Sequence, residues 1–185
     1  MGLGFGKDQK RIDNICNYLS AHVLERAAIQ ISKETKDKIL QVLVKGEQDG
    51  WGVDRMTFEL GSDELSLWQL RAIIRTESLI AMQYGRNINF DNSRWQSVNV
   101  WIAAHDYRTR HSHRDMDGKT VDVRKKFEVP IYKTINEVDI QVGVDMMFGP
   151  GDPTASAGNF VNCRCTMVTV AKRDASGRLV LKVKK

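Results

Sequence analysis

The segment from Trp101 to Gly118 reads W-I-A-A-H-D-Y-R-T-R-H-S-H-R-D-M-D-G. It holds three of the chain's four histidines, together with three aspartates and three arginines. That mixture suits metal binding, a polar network or phosphate contact. Further along, Cys163 and Cys165 flank Arg164. In an extended strand, residues two apart face the same side, so both sulfurs point one way. Their Cα separation of about 6.5–7 Å lies at the upper limit for a disulfide, which predicts two free thiols able to share a soft metal. A zinc site needs two further ligands. His113 is the first candidate, and His111 or Asp106 supplies the fourth position. The competing reading is an exposed charged loop beside two packed thiols and a hydrogen-bonded histidine.

A metal-dependent hydrolase or nuclease would also use such a cluster, with Asp106, Asp117 or Glu77 as general base. Against it, the chain has no His-Glu-x-x-His motif, no Pro-Cys-x-x-Cys of the zinc deaminases, and no Walker or dinucleotide glycine motif. Two thiolates and a histidine fit a closed structural site better than a reaction centre.

The elements that carry these residues change character along the chain. Ile12, Ile15, Leu19, Val23, Ala27 and Ile31 recur every three or four residues, the stripe of one long amphipathic helix from Arg11 to Ile31. That stripe is the best candidate for a partner's groove, or else it packs on the protein's own second helix. Ser32 is placed to cap that second helix, with Ile39, Leu40, Leu43 and Val44 on its apolar face and Gly50 at its turn. A short helix over Val53 to Leu60 follows. Ser66 and Gln69 then form a capping box for a helix with Leu67, Leu70, Ile74 and Met82 on one face and Gly85 as its end cap.

After Asn87 the period becomes two. Val98, Val100, Ile102 and Ala104 alternate, as do Val138, Ile140 and Val142. Pro130 places the run from Phe127 to Ile131 at a sheet edge. Cys165 to Ala171 and Arg178 to Val183, joined by Asp174-Ala175-Ser176-Gly177, predict a terminal hairpin. Helices followed by strands predict an α+β fold: a helical N-terminal half packed on a C-terminal mixed or antiparallel sheet. The expected divisions are a lead-in helix over 1–31, a main domain over 32–170 and a basic end over 171–185.

Composition narrows the function classes. The 185 residues are 42% hydrophobic and 28% charged, typical of a folded soluble protein. Three cysteines are too few for a disulfide framework. No apolar run is long enough for a membrane span, and the start lacks a secretory pattern. The net charge of +5 is carried by the last fifteen residues, which hold six bases and one acid. Lys172, Arg173, Lys182, Lys184 and Lys185 are therefore the DNA-facing candidates, for weak and salt-sensitive contact. A basic nucleic-acid binding module is the corresponding alternative function, although no DNA-reading motif is present.

Taken in order, the motifs resemble those of a known family. An Arg-Thr-Glu (Arg75, Thr76, Glu77) lies in a helix, and the tryptophan strand at Trp101 leads into Asp106, Arg108, Thr109, Arg110, His113, Asp117 and Gly118. The Pro150-Gly151-Asp152-Pro153 loop and Asn162-Cys163-Arg164-Cys165 follow. This arrangement, over roughly residues 30 to 170, resembles the phage Mu F-like head-morphogenesis family, the minor head proteins of tailed phages. Two departures are Met116 where leucine is usual and a longer insertion from Arg124 to Phe148. The resemblance implies a non-enzymatic virion protein inside the head near the portal, supporting assembly, DNA packaging or ejection. Its partners would be the portal protein, other head proteins and, through the basic end, packaged DNA, with no membrane. Arg75, Glu77, Asp106, Arg108, Arg110 and Asp117 would then form a fold-building motif network, and zinc the one cofactor to look for.

Overall fold

The computed structural model describes residues 9–22, 31–87 and 94–182. It divides the chain into two units, residues 1–89 and 90–185. The first is helical and the second is built on antiparallel strands, as expected for an α+β protein.

In the first unit, α1 (Gln9–His22), α2 (Lys33–Asp49), α3 (Val53–Leu60) and α4 (Leu67–Asn87) pack around one apolar core. Each helix end has a visible cause. The Ser32 hydroxyl accepts from the Thr35 N–H at the start of α2, as an N-cap does. Gly50, at φ 71°, closes α2 by donating its N–H to the Gly46 carbonyl, a left-handed cap that glycine adopts without strain. The Gln69 side chain reaches back to accept from the Ser66 N–H at 2.9 Å, one arm of the capping box. Glu64 adds a cap the spacing does not announce. Its carboxylate accepts from the Ser32 N–H and hydroxyl and from Thr35, tying the α3–α4 loop to the start of α2.

Ile15 and Leu19 of α1 and Ile39 and Leu43 of α2 meet Leu70 and Ile74 of α4 in this core. The α1 stripe is therefore spent inside the unit at these positions, the second of its two readings, in which it packs on the protein's own helices. Ile31 lies outside any helix. Val23 and Ala27 fall outside the described residues. Two further details differ. Leu67 is exposed, because it opens α4 before the helix reaches the core. Gly85 lies within α4 rather than at its end; a single glycine costs a helix only about 1 kcal/mol.

The second unit holds two sheets. In the first, β1 (Ser97–Ile102) is the centre, with β2 (Thr120–Asp122) and β5 (Thr166–Ala171) antiparallel on either side. In the second, β3 (Phe127–Ile135) and β4 (Val138–Met147) form a long hairpin, with Pro130 on an edge as expected. One-turn helices α5 (His111–Arg114) and α6 (Ala157–Phe160) lie between strands in sequence and pack on β3. The core of this unit includes Trp101, Met116, Phe127, Val129, Met147 and Met167.

Strand β1 faces the opposite way from what its pattern suggests. Ser97, Asn99 and Trp101 are its buried residues, while Val98, Val100 and Ile102 are half-buried. The indole of Trp101 repays the reversal in buried apolar surface, and Asn99 is satisfied by the Thr169 hydroxyl at 2.7 Å. The C-terminal turn forms at Asp174–Gly177, with Gly177 at φ 81°. The returning segment makes isolated bridges, Leu179 to Arg173 and Leu181 to Trp95, rather than a continuous ladder.

Candidate metal centre

Three chain segments converge on one buried point. The Asp-x-Arg-Thr turn begins with Asp106, whose carboxylate accepts from the Arg108 N–H and the Thr109 hydroxyl. It leads into α5, which turns His113 inward until only 1% of it is exposed. Asp117 then accepts from the Ala103 N–H at 2.8 Å, and Gly118, at φ 72°, donates to the Trp101 carbonyl. This returns the chain to β1 and pins α5 beside it. From the other side, α6 ends and Asn162 takes a left-handed conformation at φ 53°. Cys163 and Cys165 follow in an irregular segment before β5, not in a strand as the spacing predicts. Their alternation survives, since both are buried and Arg164 between them is not.

The His113 Nδ1 lies 3.5 Å from the Cys163 sulfur and 3.4 Å from the Cys165 sulfur. All three candidate ligand atoms fall within 4.8 Å of one another. With Zn–S near 2.3 Å and Zn–N near 2.0–2.1 Å, a tetrahedral ion would hold N and S about 3.5–3.6 Å apart. The donor set and its spacing therefore fit zinc. Both cysteines are free thiols. Among the described residues the His113 Nε2 has no hydrogen-bond partner.

The two thiols titrate as a pair. Cys165 is drawn well below the ordinary thiol range, first by the hydrogen bond from the Cys163 thiol and then by His113 and the Ala104 N–H. The same bond, with burial and the charge on Cys165, pushes Cys163 up. A bound cation would favour two thiolates.

Neither proposed fourth ligand joins the group. Both oxygens of Asp106 are taken by the Arg164 guanidinium, a bidentate pair with strong geometric preference. His111 stacks on Tyr132 with centroids 4.5 Å apart. Its Nδ1 lies 3.0 Å from Asp139, and its Nε2 faces Asp115. Among the described residues the cluster offers three candidate ligands.

Asn159 was not legible as a site residue. Buried beside the centre, it accepts from Ser112 at 2.9 Å and donates to Asp145 at 2.8 Å and to the Pro130 carbonyl. It thus locks α5, α6 and the hairpin together. Nothing distinguishes this asparagine in sequence, because its partners come from three distant segments.

Residues 37–168, from α2 into β5, match the family described as Phage Mu protein F like protein. The chain belongs to that family. It is also similar to the minor head protein GP7 of Bacillus phage SPP1, at 28% identity over 88% of this chain and 48% of that protein. A second relative is a protein of Enterococcus faecalis (strain ATCC 700802 / V583) named NAD(+)--arginine ADP-ribosyltransferase EFV. It is 25% identical over 85% of this chain and 31% of its own length. The chain thus spans about half, or a third, of these relatives. No solved structure matches it.

Within the Mu F-like region, Arg75 and Glu77 stand on α4 of the first unit, Glu77 buried. Asp106, Arg108, Arg110 and Asp117 belong to the second unit, where Arg110 donates to the Val161 carbonyl at 2.6 Å. At the basic end, Lys172 faces Asp122 at 3.4 Å and Arg173 donates to the Gly177 carbonyl. Lys182 is half-buried, and Lys184 and Lys185 lie outside the described residues. No helix among the described residues is long and apolar enough to cross a membrane.

The Asp106–Arg164 pair makes a pH prediction. Hydrogen bonds from Arg164, then the Arg108 N–H, the Arg164 charge and Thr109, hold the Asp106 carboxyl at about 2. Its unfolded value is about 3.9. A depressed carboxyl stabilises the fold above its unfolded pKa and loses that contribution as pH falls through the folded one. Wild type is therefore expected to melt above Asp106→Asn at pH 7. The gap should close between about pH 4 and pH 2. A gap that persists unchanged at about pH 2 would mean that Asp106 acts other than through its charge.

Proposed function

We propose that this chain is a minor head protein, or the corresponding portion of one, which helps build a tailed-phage head. In this reading it sits inside the virion near the portal and supports assembly, DNA packaging or ejection. The observation that carries it is the family match across most of the chain, including the whole His113–Cys163–Cys165 centre. The two relatives have different names and lengths, yet share this same portion. A portion common to a head protein and a protein named as a transferase is best explained as the part that joins a head. The role assigned is accordingly structural rather than catalytic.

The centre then holds zinc as a clamp between α5 and the segment leading into β5. His113 Nδ1 and the two thiolates are the ligands, and the Asp106–Arg164 pair positions the residue between them. Of the motif residues, Arg75 and Glu77 build the fold of the first unit, and Arg108, Arg110 and Asp117 that of the second. Packaged DNA, on this view, meets Lys172, Arg173, Lys182, Lys184 and Lys185.

The test is biochemical. DNA-filled heads purified from the producing phage should retain the chain through high-salt washing, at far fewer copies than the major capsid protein. Heads lacking it entirely, with the chain recovered only free in the lysate, would overturn the assignment.

A further inference from the structure

One end of the three-stranded sheet gathers charge that is scattered in the sequence. β2 and β5 run antiparallel to β1 on either side of it, so the segments that leave them finish beside the residues that enter β1. Three backbone hydrogen bonds fix this. The Val123 N–H donates to the Ser97 carbonyl, the Lys172 N–H to the Gln96 carbonyl and the Lys182 N–H to the Arg94 carbonyl. With neighbouring strands about 4.8 Å apart, residues 94–96, 122–126 and 172–182 meet at the same end of the sheet.

These three segments hold eight bases against two acids, Asp122 and Asp174. In the rest of residues 94–182, six bases stand against eight acids, so the positive charge of this unit is concentrated at one place. Both acids there are engaged. Asp122 faces the Lys172 ammonium at 3.4 Å, and Asp174 closes its own turn by accepting from the Ser176 hydroxyl and the Arg178 N–H. Arg94, Lys125 and Arg178 are exposed and, among the described residues, have no carboxylate partner.

Such a surface attracts a polyanion. A DNA duplex carries one charge per about 1.7 Å of its axis, so it meets bases at almost any spacing. Proteins that prefer single strands add exposed aromatic rings on which bases stack. Trp95, the aromatic residue of these segments, is half-buried, and the Arg94 guanidinium lies over its ring at 4.7 Å. That cation–π contact leaves the arginine its N–H donors for a phosphate.

We infer that this end of the sheet is a phosphate-backbone site for duplex DNA, in which Arg94 and Lys125 act together with Arg178 of the C-terminal turn. The bases of the chain's end are then one part of a surface built from three distant segments. That the duplex is packaged phage DNA rests on the function proposed above; the phosphate site itself does not.

The test uses the full chain and a short mixed-sequence duplex, titrated over a range of salt. Changing Arg94→Gln, Lys125→Gln and Arg178→Gln together should weaken binding at least tenfold in low salt. It should also flatten the slope of log affinity against log salt by about two to three, with the melting temperature near wild type. Amide NMR shifts on binding should centre on residues 94–96, 122–126 and 172–182. Lys184→Gln with Lys185→Gln should cost less than the triple change. Should the Arg94 change disturb Trp95, Lys125→Gln with Arg178→Gln serves instead and should flatten the slope by about two. No duplex binding by wild type, unchanged affinity in these variants, or loss only with the Lys184 and Lys185 changes would overturn the inference. So would tighter binding of the matching single strand, or equal binding of a polyglutamate peptide, which would make an acidic protein the partner. A chain retained in heads without binding duplex would leave the head assignment standing; duplex binding by a chain absent from heads would leave this site standing.

Discussion

Cys165→Ser is expected to strip the protein of zinc and to melt the second unit at a much lower temperature. Wild type purified without chelator should carry one zinc ion per chain, and the variant less than about a tenth of that, given structural-site energies of roughly 10–16 kcal/mol. The argument rests on geometry. His113 Nδ1 lies within 3.5 Å of both sulfurs, and all three residues are almost wholly buried. A hydroxyl in place of the more readily ionised thiol leaves one thiolate and one imidazole, too few for a structural tetrahedral site. His113→Ala should behave alike. Cys16→Ser, on α1 of the first unit, should retain the metal. Elemental analysis and chelator-dependent melting decide the matter. Zinc far below one equivalent in wild type, with no effect of chelator, would leave the three residues as a hydrogen-bonded core cluster only.

Trp101→Ala is expected to cost about 3–5 kcal/mol in urea unfolding of the second unit. The indole is fully buried, and its ring meets His113 at 5.1 Å and Phe127 at 5.4 Å, both edge-on. Removing it opens a cavity against the metal centre as well as the core, so zinc should also leave at lower chelator concentration. Trp101→Phe keeps part of the ring contact and should cost less. Trp68→Ala is the control. That tryptophan is 72% exposed, and its loss should shift stability by no more than about 0.5 kcal/mol. A cost near that value for Trp101→Ala would mean that the ring does not organise the centre.

Much of the first unit was legible in the chain. Ser32, Gly50, Ser66 and Gln69 act within three or four residues of themselves, and such local signals need no tertiary information. The period of the apolar residues likewise separates helices from strands. The pairing of His113 with Cys163 and Cys165 could be named because few residue types make a soft metal site. Its remaining ligand could not, because Asp106 and His111 have equal chemistry until their neighbours are known. Arg164 and Asp139, each distant in sequence, take them away.

Faces and surfaces were decided by tertiary structure. Alternation announced β1 and β4 as strands, but a period of two is silent about which face is inward. In β1 the buried side fell to Ser97, Asn99 and Trp101, because one indole and one satisfied asparagine outweigh three smaller aliphatic residues. In β4 the register shift divides the exposed apolar residues between two faces, Val138 and Ile140 opposite Ile135 and Lys133, Val144 and Met146 opposite Pro130 and Glu128. The α1 stripe, equally able to serve a partner, is covered at Ile15 and Leu19 by the unit's own α2 and α4. Local spacing determines what an element is and which chemistry it carries. What an element touches depends on long-range packing, which minimises exposed apolar surface over the whole unit rather than along any one segment.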